Sequence, residues 1–256
     1  MAVESIERGP GTAPAAWPTP AQLARQVPAP EGYHYAVPTL ADLPALVRAV
    51  DDWFPGLAVG NASCFLRQAF YAESVHLAHG PDAPAATGDD FFVLLFKHGE
   101  EWAGMLAVER DVNSQVLYGR VGAVDPGHRR AGLSKTFAPL MEAMGLAMGM
   151  GMVYSLATLK APHMQRSFER AGWQLVGVMP GFDREVVESG AVKRVFEAIY
   201  VKVLAPRTQL LHPGTEGMTP ATRSLYRLLY DGDAPATTER SGRSGPTTHT
   251  AQGSGS

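Results

Sequence analysis

The sequence has 256 residues, of which 45% are hydrophobic and 18% are charged, and its formal net charge is −3. This composition supports a sizeable globular core, and the slightly acidic balance argues against a nucleic-acid-binding surface spread over the fold. Cys64 is the single cysteine, which excludes an intrachain disulfide and argues against a metal site built from thiolates. Neither a signal peptide nor an apolar run long enough to cross a bilayer is visible. We therefore expect a cytoplasmic protein with no nucleic-acid partner, no membrane partner and no metal.

The first part of the chain combines a loose segment with predicted helices. Residues 1–30 are rich in proline, alanine and glycine and are predicted to be flexible. A short strand at 33–37 is followed by a helix, for which Thr39 and Asp42 have the spacing of a capping box. Asn61 is predicted to cap a second helix that follows it.

The middle of the chain changes from helical to alternating periodicity. The elements predicted there are, in chain order, strands at 91–96, 101–110 and 114–124, a helix to about Met148, a strand at 151–159, a short helix ending at Gly172, and closing strands at 173–179 and 192–204. Short connections make the first strands antiparallel, and the helix between 114–124 and 151–159 makes that pair parallel. The fold class predicted is therefore α/β, of the mixed α+β kind, with a mostly antiparallel sheet and helices on both faces.

The pattern divides the chain into a main domain and a C-terminal extension. Residues 31–204 are predicted to form the domain, and residues 205–232 an extension with one helix that Thr219 caps. Residues 233–256 are polar and are predicted to be disordered. We expect the extra helix to pack on its own domain, with a contact in a homodimer or a lid as the alternatives.

The stretch "VDPGHRRAGLSK", residues 124–135, connects a predicted strand to a predicted helix. A helix N-terminus presents unpaired backbone N–H groups and partial positive charge, which together favour anions. Arg129 and Arg130 add charge there, and Gly132 allows close approach of the backbone. These features favour a diphosphate site, and an ordinary turn with two solvated arginines is the alternative.

The same stretch resembles the acetyl-CoA-binding motif of the GNAT N-acetyltransferase superfamily. The family pattern, Arg/Gln-x-x-Gly-x-Gly/Ala, is matched by Arg129 and Gly132, with Ser134 in place of the last small residue. The segment "FERAGW" is similar to the end of the family's short helix, and the resemblance covers about residues 33–204. It implies a GNAT fold in which the parallel central pair of strands splays apart at Val124.

The resemblance also implies acetyl-CoA as co-substrate and a direct transfer of its acetyl group to an amine. The pantetheine would lie in the gap between the splayed strands, against backbone groups from Gly122 to Val124. The residues whose amides would hold the pyrophosphate are Arg129, Arg130, Ala131, Gly132, Leu133 and Ser134.

Catalysis requires a neutral amine, and an alkyl amine has a pKa near ~10.4, so a base or desolvation is needed. The strand where family members often carry a glutamate has no carboxylate, and Glu109 on the preceding strand is the nearest acidic candidate for the base. Phe168 stands where many members use a tyrosine to protonate the leaving thiolate, so His163 or water is expected to substitute. A surface carboxylate and an exposed polar residue are the alternative interpretations of Glu109 and His163.

A finer resemblance concerns the acceptor. The segments "HMQRSFERAGW" and "FEAIYVKVL" are similar to β-lysine-type acetyltransferases, which implies a small diamine or amino acid as acceptor. The sequence thus predicts an N-acetyltransferase for a small-molecule amine. The alternatives are an acyl-CoA-binding module with impaired catalysis and a protein-modifying acetyltransferase.

Overall fold

A computed structural model describes residues 16–78 and 89–230 of the chain. The predictions of flexibility for residues 1–15 and of disorder for 233–256 lie outside these residues. The chain divides into two compact units, one ending at Leu210 and the other beginning at Leu211. The helices are α1 Pro20–Gln26, α2 Leu43–Trp53, α3 Gln68–Ser74, α4 Phe137–Ala147, α5 His163–Arg170 and α6 Pro220–Tyr230. The strands are β1 Tyr33–Ala36, β2 Val75–His76, β3 Phe91–His98, β4 Glu101–Asp111, β5 Val116–Val124, β6 Met152–Thr158, β7 Gln174–Val186 and β8 Val192–Val203.

The strands form one sheet in the order β1-β3-β4-β5-β6-β8-β7, with β2 beside β3. The pairings β5–β6 and β2–β3 are parallel and the others are antiparallel. The predicted fold class, a mixed and mostly antiparallel sheet with a parallel central pair, is confirmed.

Both faces of the sheet are covered, as the alternation along β3 shows. Phe92, Leu94 and Phe96 pack with α1, α4 and α5 on one face, whereas Val93 and Leu95 pack with α2 and α3 on the other. Successive side chains of a strand point to opposite faces, so an uninterrupted apolar run is what a doubly covered strand requires. The prediction of helices on both faces is confirmed.

The segment before β1 differs from its prediction. Thr19 accepts a hydrogen bond from the backbone of Gln22 and caps α1, and Leu23 of this helix is 0% exposed in the core beside α4. The prediction that the segment was flexible throughout residues 1–30 is therefore wrong for residues 16–30. The segment has only two large buried apolar residues, Trp17 before α1 and Leu23 within it, which are too few to produce a visible period.

The second predicted helix is also divided. In place of one helix capped by Asn61, the chain forms 3-10 turns at Pro55–Val59 and Ser63–Leu66 before α3 begins at Gln68. The capping box at Thr39 is present, since the carboxylate of Asp42 accepts from the Thr39 backbone N–H at 2.7 Å.

The parallel pair β5–β6 opens along its length. The two strands pair only from Val116 to Gly119 of β5 and from Met152 to Ser155 of β6. Within the described chain, residues 120–124 and 156–158 of these strands are not paired with each other. This splay leaves a gap in the middle of the sheet.

The second unit contains α6, whose N-cap Thr219 accepts from the backbone N–H of Thr222 at 3.2 Å. Its Leu225 and Leu228 are 50% and 81% exposed. None of the helices in the described ranges is long and apolar enough to cross a membrane, and the cytoplasmic location stays a prediction.

Candidate active site

A cavity of about 490 Å³ occupies the gap between β5 and β6. One side of it is formed by α4 and α5, through Phe137, Met141, Met164 and Phe168. The other side is formed by the loop after α2 and by the distal half of β7. Its lining residues there are Phe54, Gly56, Leu57, Gly60, Asn61, Ala62, Asp183, Arg184, Glu185 and Val186. The cavity therefore passes through the sheet and connects its two faces.

The motif predicted to hold a diphosphate forms a cradle at the start of α4. Gly132 adopts a left-handed conformation, φ +82°, and a 3-10 turn, Leu133–Thr136, leads from it into the helix. No described residue accepts a hydrogen bond from the backbone N–H groups of Gly132, Leu133 and Ser134. Unpaired N–H groups at a helical N-terminus are the donors that a phosphate requires.

The two arginines of the cradle are exposed. The Arg129 guanidinium lies within 3.4 Å of the backbone carbonyl of Trp53, at the end of α2, and the Trp53 indole donates to Asp125 at 2.8 Å. These contacts tie the cradle to α2. The Arg130 side chain forms no hydrogen bond or ion pair with any described residue, and it is available to an anion in solution.

The end of β5 directs backbone groups into the gap. The Asp125 N–H donates to the carbonyl of Ala103 in β4 at 2.9 Å. In an antiparallel pair the backbone groups of every second residue face the partner strand, so those of Ala123 and Val121 also face β4. Gly122 and Val124 lie between those residues in the register, opposite Leu106 and Gly104. Their N–H and C=O groups consequently point away from β4, toward the open gap.

Gly122 also allows α4 to approach the strand. A Cβ atom at Gly122 would overlap the ring of Phe137, the first residue of α4. Glycine at this position is thus required by packing as well as by access to the backbone.

The side of the cavity formed by the loop after α2 and by β7 is held together by Asp183. Its Oδ1 accepts hydrogen bonds from the backbone N–H groups of Asn61 and Arg184, both at 2.7 Å. A Cβ at Gly60 would lie 3.0 Å from the same carboxylate oxygen, so the loop contacts β7 closely. Asp183 therefore fixes the loop 60–61 against β7.

Glu197 of β8 lines the same cavity and has an unusual acidity. Burial, which disfavours the charged form, and the nearby charge of Asp183 raise the pKa of Glu197 from 4.5 to about 7. Glu197 lies opposite Thr158 of β6 in the register, beside the unpaired end of that strand. A carboxyl group with a pKa near neutrality in a cavity is a candidate acid or base.

Glu109, the predicted base, does not line the cavity. It accepts a hydrogen bond from the Arg120 guanidinium at 3.1 Å, in an ion pair. Arg120 occupies a β-bulge of β5, between residues paired with Ala107 and Val108, and it lies over the ring of Tyr118. Glu109 is thus paired with Arg120, whereas the carboxyl groups that line the cavity are those of Asp183, Glu185 and Glu197.

His163, the predicted substitute acid, does not line the cavity either. It is the first residue of α5 and is exposed. Phe168, at the position of the family's tyrosine, is 1% exposed and packs against Trp173 and Tyr200 while lining the gap. The position that carries a hydroxyl in many members of the family that the sequence resembles is apolar in this chain.

Two tyrosines mark the point where the strands separate. The rings of Tyr118 and Tyr154 stack with centroids 4.5 Å apart, and Tyr118 lines the cavity. Burial raises the pKa of Tyr118 to about 12, so its hydroxyl stays protonated near neutral pH. Tyr118 can therefore donate a hydrogen bond but is a poor proton donor to a thiolate, whose conjugate acid has a pKa of about 8.5.

One ion pair crosses the margin of the cavity. Lys160, which follows β6, forms an ion pair with Glu185 of β7. Among the described residues, no group of three or more histidine, cysteine, aspartate or glutamate side chains could hold a metal ion.

The sequence matches no model of a known protein family and no curated protein. Solved structures do match. The ribosomal-protein-S5-alanine acetyltransferase of Vibrio fischeri aligns with a TM-score of 0.50 at 9% identity, over 68% of this chain and 93% of its own. The microcin C7 self-immunity acetyltransferase MccE, solved with acetyl-CoA and AMP, aligns with a TM-score of 0.50 at 14% identity, over 72% of this chain and 99% of its own.

A third structure, of a Desulfovibrio desulfuricans protein assigned to the GNAT family of acetyltransferases, aligns with a TM-score of 0.49 at 15% identity, over 68% of this chain and 99% of its own. The sheet order, the splayed parallel pair and the two alignments at 0.50 define the class of the domain. The chain has the GNAT acetyltransferase fold.

Proposed function

We propose that the protein transfers an acetyl group from acetyl-CoA to the amine of a small molecule. The observation that carries this proposal is the position of Glu197, whose pKa is about 7, in a cavity that connects the cradle side of the sheet to a separate acceptor side. A donor and an acceptor could therefore enter from opposite faces and meet at the splay.

The residues of the cradle fit a diphosphate. The free N–H groups of Gly132, Leu133 and Ser134 supply donors, and the exposed Arg129 and Arg130 supply charge. When bound, acetyl-CoA would supply the acetyl group as a thioester, in the gap where Gly122 and Val124 direct their backbone groups. The Gly122 N–H is suited to stabilise negative charge that develops on the thioester oxygen, because it is held by the sheet before reaction begins.

Glu197 is suited to remove the proton from the acceptor amine. An ammonium group with a pKa near ~10.4 is almost entirely protonated at neutral pH, so attack on the thioester requires a base. A glutamate with a pKa of about 7 is half ionised there and is a stronger base than an ordinary carboxylate.

The protonated Glu197 can then donate its proton to the leaving thiolate. Once it has taken the proton, Glu197 is a stronger acid than a thiol with a pKa of about 8.5, so proton return to the thiolate is favourable. This route needs no tyrosine in α5 and agrees with phenylalanine at position 168.

The test is the release of free thiol from acetyl-CoA with a panel of small amines, with acetyl-CoA binding measured by calorimetry on the full chain. We expect micromolar binding of acetyl-CoA and amine-dependent thiol release. Binding without turnover on any amine would instead support the acyl-CoA-binding module, which the absence of a hydroxyl at Phe168 favours. The absence of binding would refute the donor assignment.

A further inference from the structure

The charges that line the acceptor side of the cavity do not balance locally. Arg120 is paired with Glu109, and Lys160 is paired with Glu185. Arg184 also contacts the cavity, but it lies between Asp183 and Glu185 in β7, so alternation directs its exposed side chain to the face of the strand opposite these two carboxylates. The cationic side chains of the described lining are therefore neutralised or directed away.

Asp183 and Glu197 are the carboxyl groups of this lining that no described cation pairs with. Oδ1 of Asp183 accepts two backbone N–H groups, while no described residue hydrogen-bonds its Oδ2. Because the structural hydrogen bonds of Asp183 use Oδ1, its Oδ2 can accept a hydrogen bond from a ligand.

The two carboxyl groups lie on one face of the β7–β8 hairpin. Asp183 pairs with Val195, which is two residues from Glu197 on β8, and the bulge between Pro180 and Asp183 lies between these positions in the register. The two carboxyl groups are close enough for the charge of Asp183 to raise the pKa of Glu197. An extended chain of four carbon atoms holds its two terminal nitrogens about 6 Å apart, so a short diamine can reach two neighbouring carboxyl groups through one hydrogen bond at each end.

We infer that Asp183 selects acceptors that carry a second cationic group, so that the substrate class is a short diamine or another amine with a remote positive charge. One ammonium group lies at Glu197 and loses its proton for the reaction, and the other remains charged and binds Oδ2 of Asp183. This inference rests on the proposed function for the identity of the reacting amine. It narrows the acceptor class, because an amino acid would bring its carboxylate to a wall that is already anionic.

The experiment compares four-carbon acceptors that differ at the remote end. They are 1,4-diaminobutane, 4-aminobutanol and 4-aminobutanoate, assayed by thiol release with the full chain. We expect kcat/KM to be about ten- to a hundredfold higher for the diamine than for the amino alcohol, as one charge-assisted hydrogen bond implies, and lowest for the amino acid. Equal values for the diamine and the amino alcohol would overturn the inference and leave the proposed function intact.

The variant Asp183→Asn removes the charge and keeps an oxygen that can accept from Asn61 and Arg184. We expect the preference for the diamine to fall to within about threefold, with the loss mainly in KM. Glu188→Gln is the matched control, since Glu188 is an exposed carboxylate in the turn of the same hairpin and does not line the cavity. A preference that survives in Asp183→Asn would refute the role of this residue.

Binding separates this inference from the proposed function. Calorimetry with the amines alone, in the presence of CoA, reports recognition whether or not turnover occurs. Tighter binding of 1,4-diaminobutane than of 4-aminobutanol without thiol release would support the role of Asp183 and refute acetyl transfer to this class of amine. Equal binding of the two amines would refute the inference independently of any variant.

Discussion

Replacing Glu197 with glutamine tests the proposed chemistry most directly. The substitution keeps the size of the side chain and removes its ability to take a proton. Removal of one proton-transfer group lowers a rate by about 10²–10⁴-fold, and we expect kcat/KM at pH 8 to fall within this range. The cavity, the cradle and Asp183 are not altered, so acetyl-CoA should bind as in the wild type.

The effect of Glu197→Gln on kcat/KM depends on pH, because the ionised fraction of Glu197 depends on pH. With the pKa of Glu197 at about 7, the base is about one-tenth ionised at pH 6 and about nine-tenths ionised at pH 8. The wild-type kcat/KM should therefore rise about ninefold across this interval and reach a plateau below the pKa of the free amine. The variant should lose this acid limb as well as most of its rate.

The pH dependence of protein stability provides a second test of the raised pKa of Glu197. Because the pKa of Glu197 is raised in the folded protein, the folded state retains a proton that the unfolded chain has released between pH 4.5 and about 7. Wild-type stability contributed by this group is present below that window and is lost as the pH rises through it. Glu197→Gln should thus gain thermal stability relative to the wild type from pH 5 to pH 8.

The assays are pH–rate profiles of thiol release and thermal unfolding scans of the two proteins at pH 5, 6, 7 and 8. The control is Glu188→Gln, which removes an exposed carboxylate from the same hairpin. Turnover of Glu197→Gln that keeps the wild-type rate and the wild-type acid limb would refute Glu197 as the base.

Three further predictions concern the cradle, the original candidate base and the first helix. Gly132→Glu should weaken acetyl-CoA binding at least a hundredfold, whereas Gly99→Glu, at another left-handed glycine with open space around it, should leave calorimetric binding unchanged. Glu109→Gln should keep the acid limb of the pH–rate profile, because this carboxylate does not line the cavity and is paired with the Arg120 guanidinium; loss of the limb would restore it as the base. Leu23→Ala should lower the free energy of unfolding by about 2–5 kcal/mol in urea titrations, since this side chain is 0% exposed, and a loss below ~1 kcal/mol would contradict its place in the core.

The local conformation of the cradle could be predicted from the sequence because its determinants are local, while its role in binding a donor stays a prediction. A strand, a left-handed glycine and a helix start follow one another within 124–137, and each has a recognisable residue pattern. The same applies to the alternation of strands and to the parallel pair. Local propensity and period are therefore sufficient for this half.

The acceptor side could not be predicted in the same way. The end of β7 was missed because Pro180 and Gly181 resemble a strand end, whereas a bulge between Pro180 and Asp183 carries the strand past them. Glu197 has no sequence signal of its own, since its raised pKa comes from burial and from a charge fourteen residues away. The alternation of "VFEAIY" could only indicate that this glutamate shares a face with apolar residues.

The hydrogen bond from Asn61 to Asp183 joins residues 122 positions apart in the sequence. Contacts of such long range form late in folding, because the entropy of closing a long loop must be overcome first. The backbone turn of the cradle, by contrast, lies within one strand–turn–helix segment, although Arg129 and Asp125 also contact Trp53 of α2. During synthesis this turn can therefore form while the loop 60–61 still awaits its contact with β7. Under the proposed function, the chain would become competent for its second substrate only after β7 has emerged.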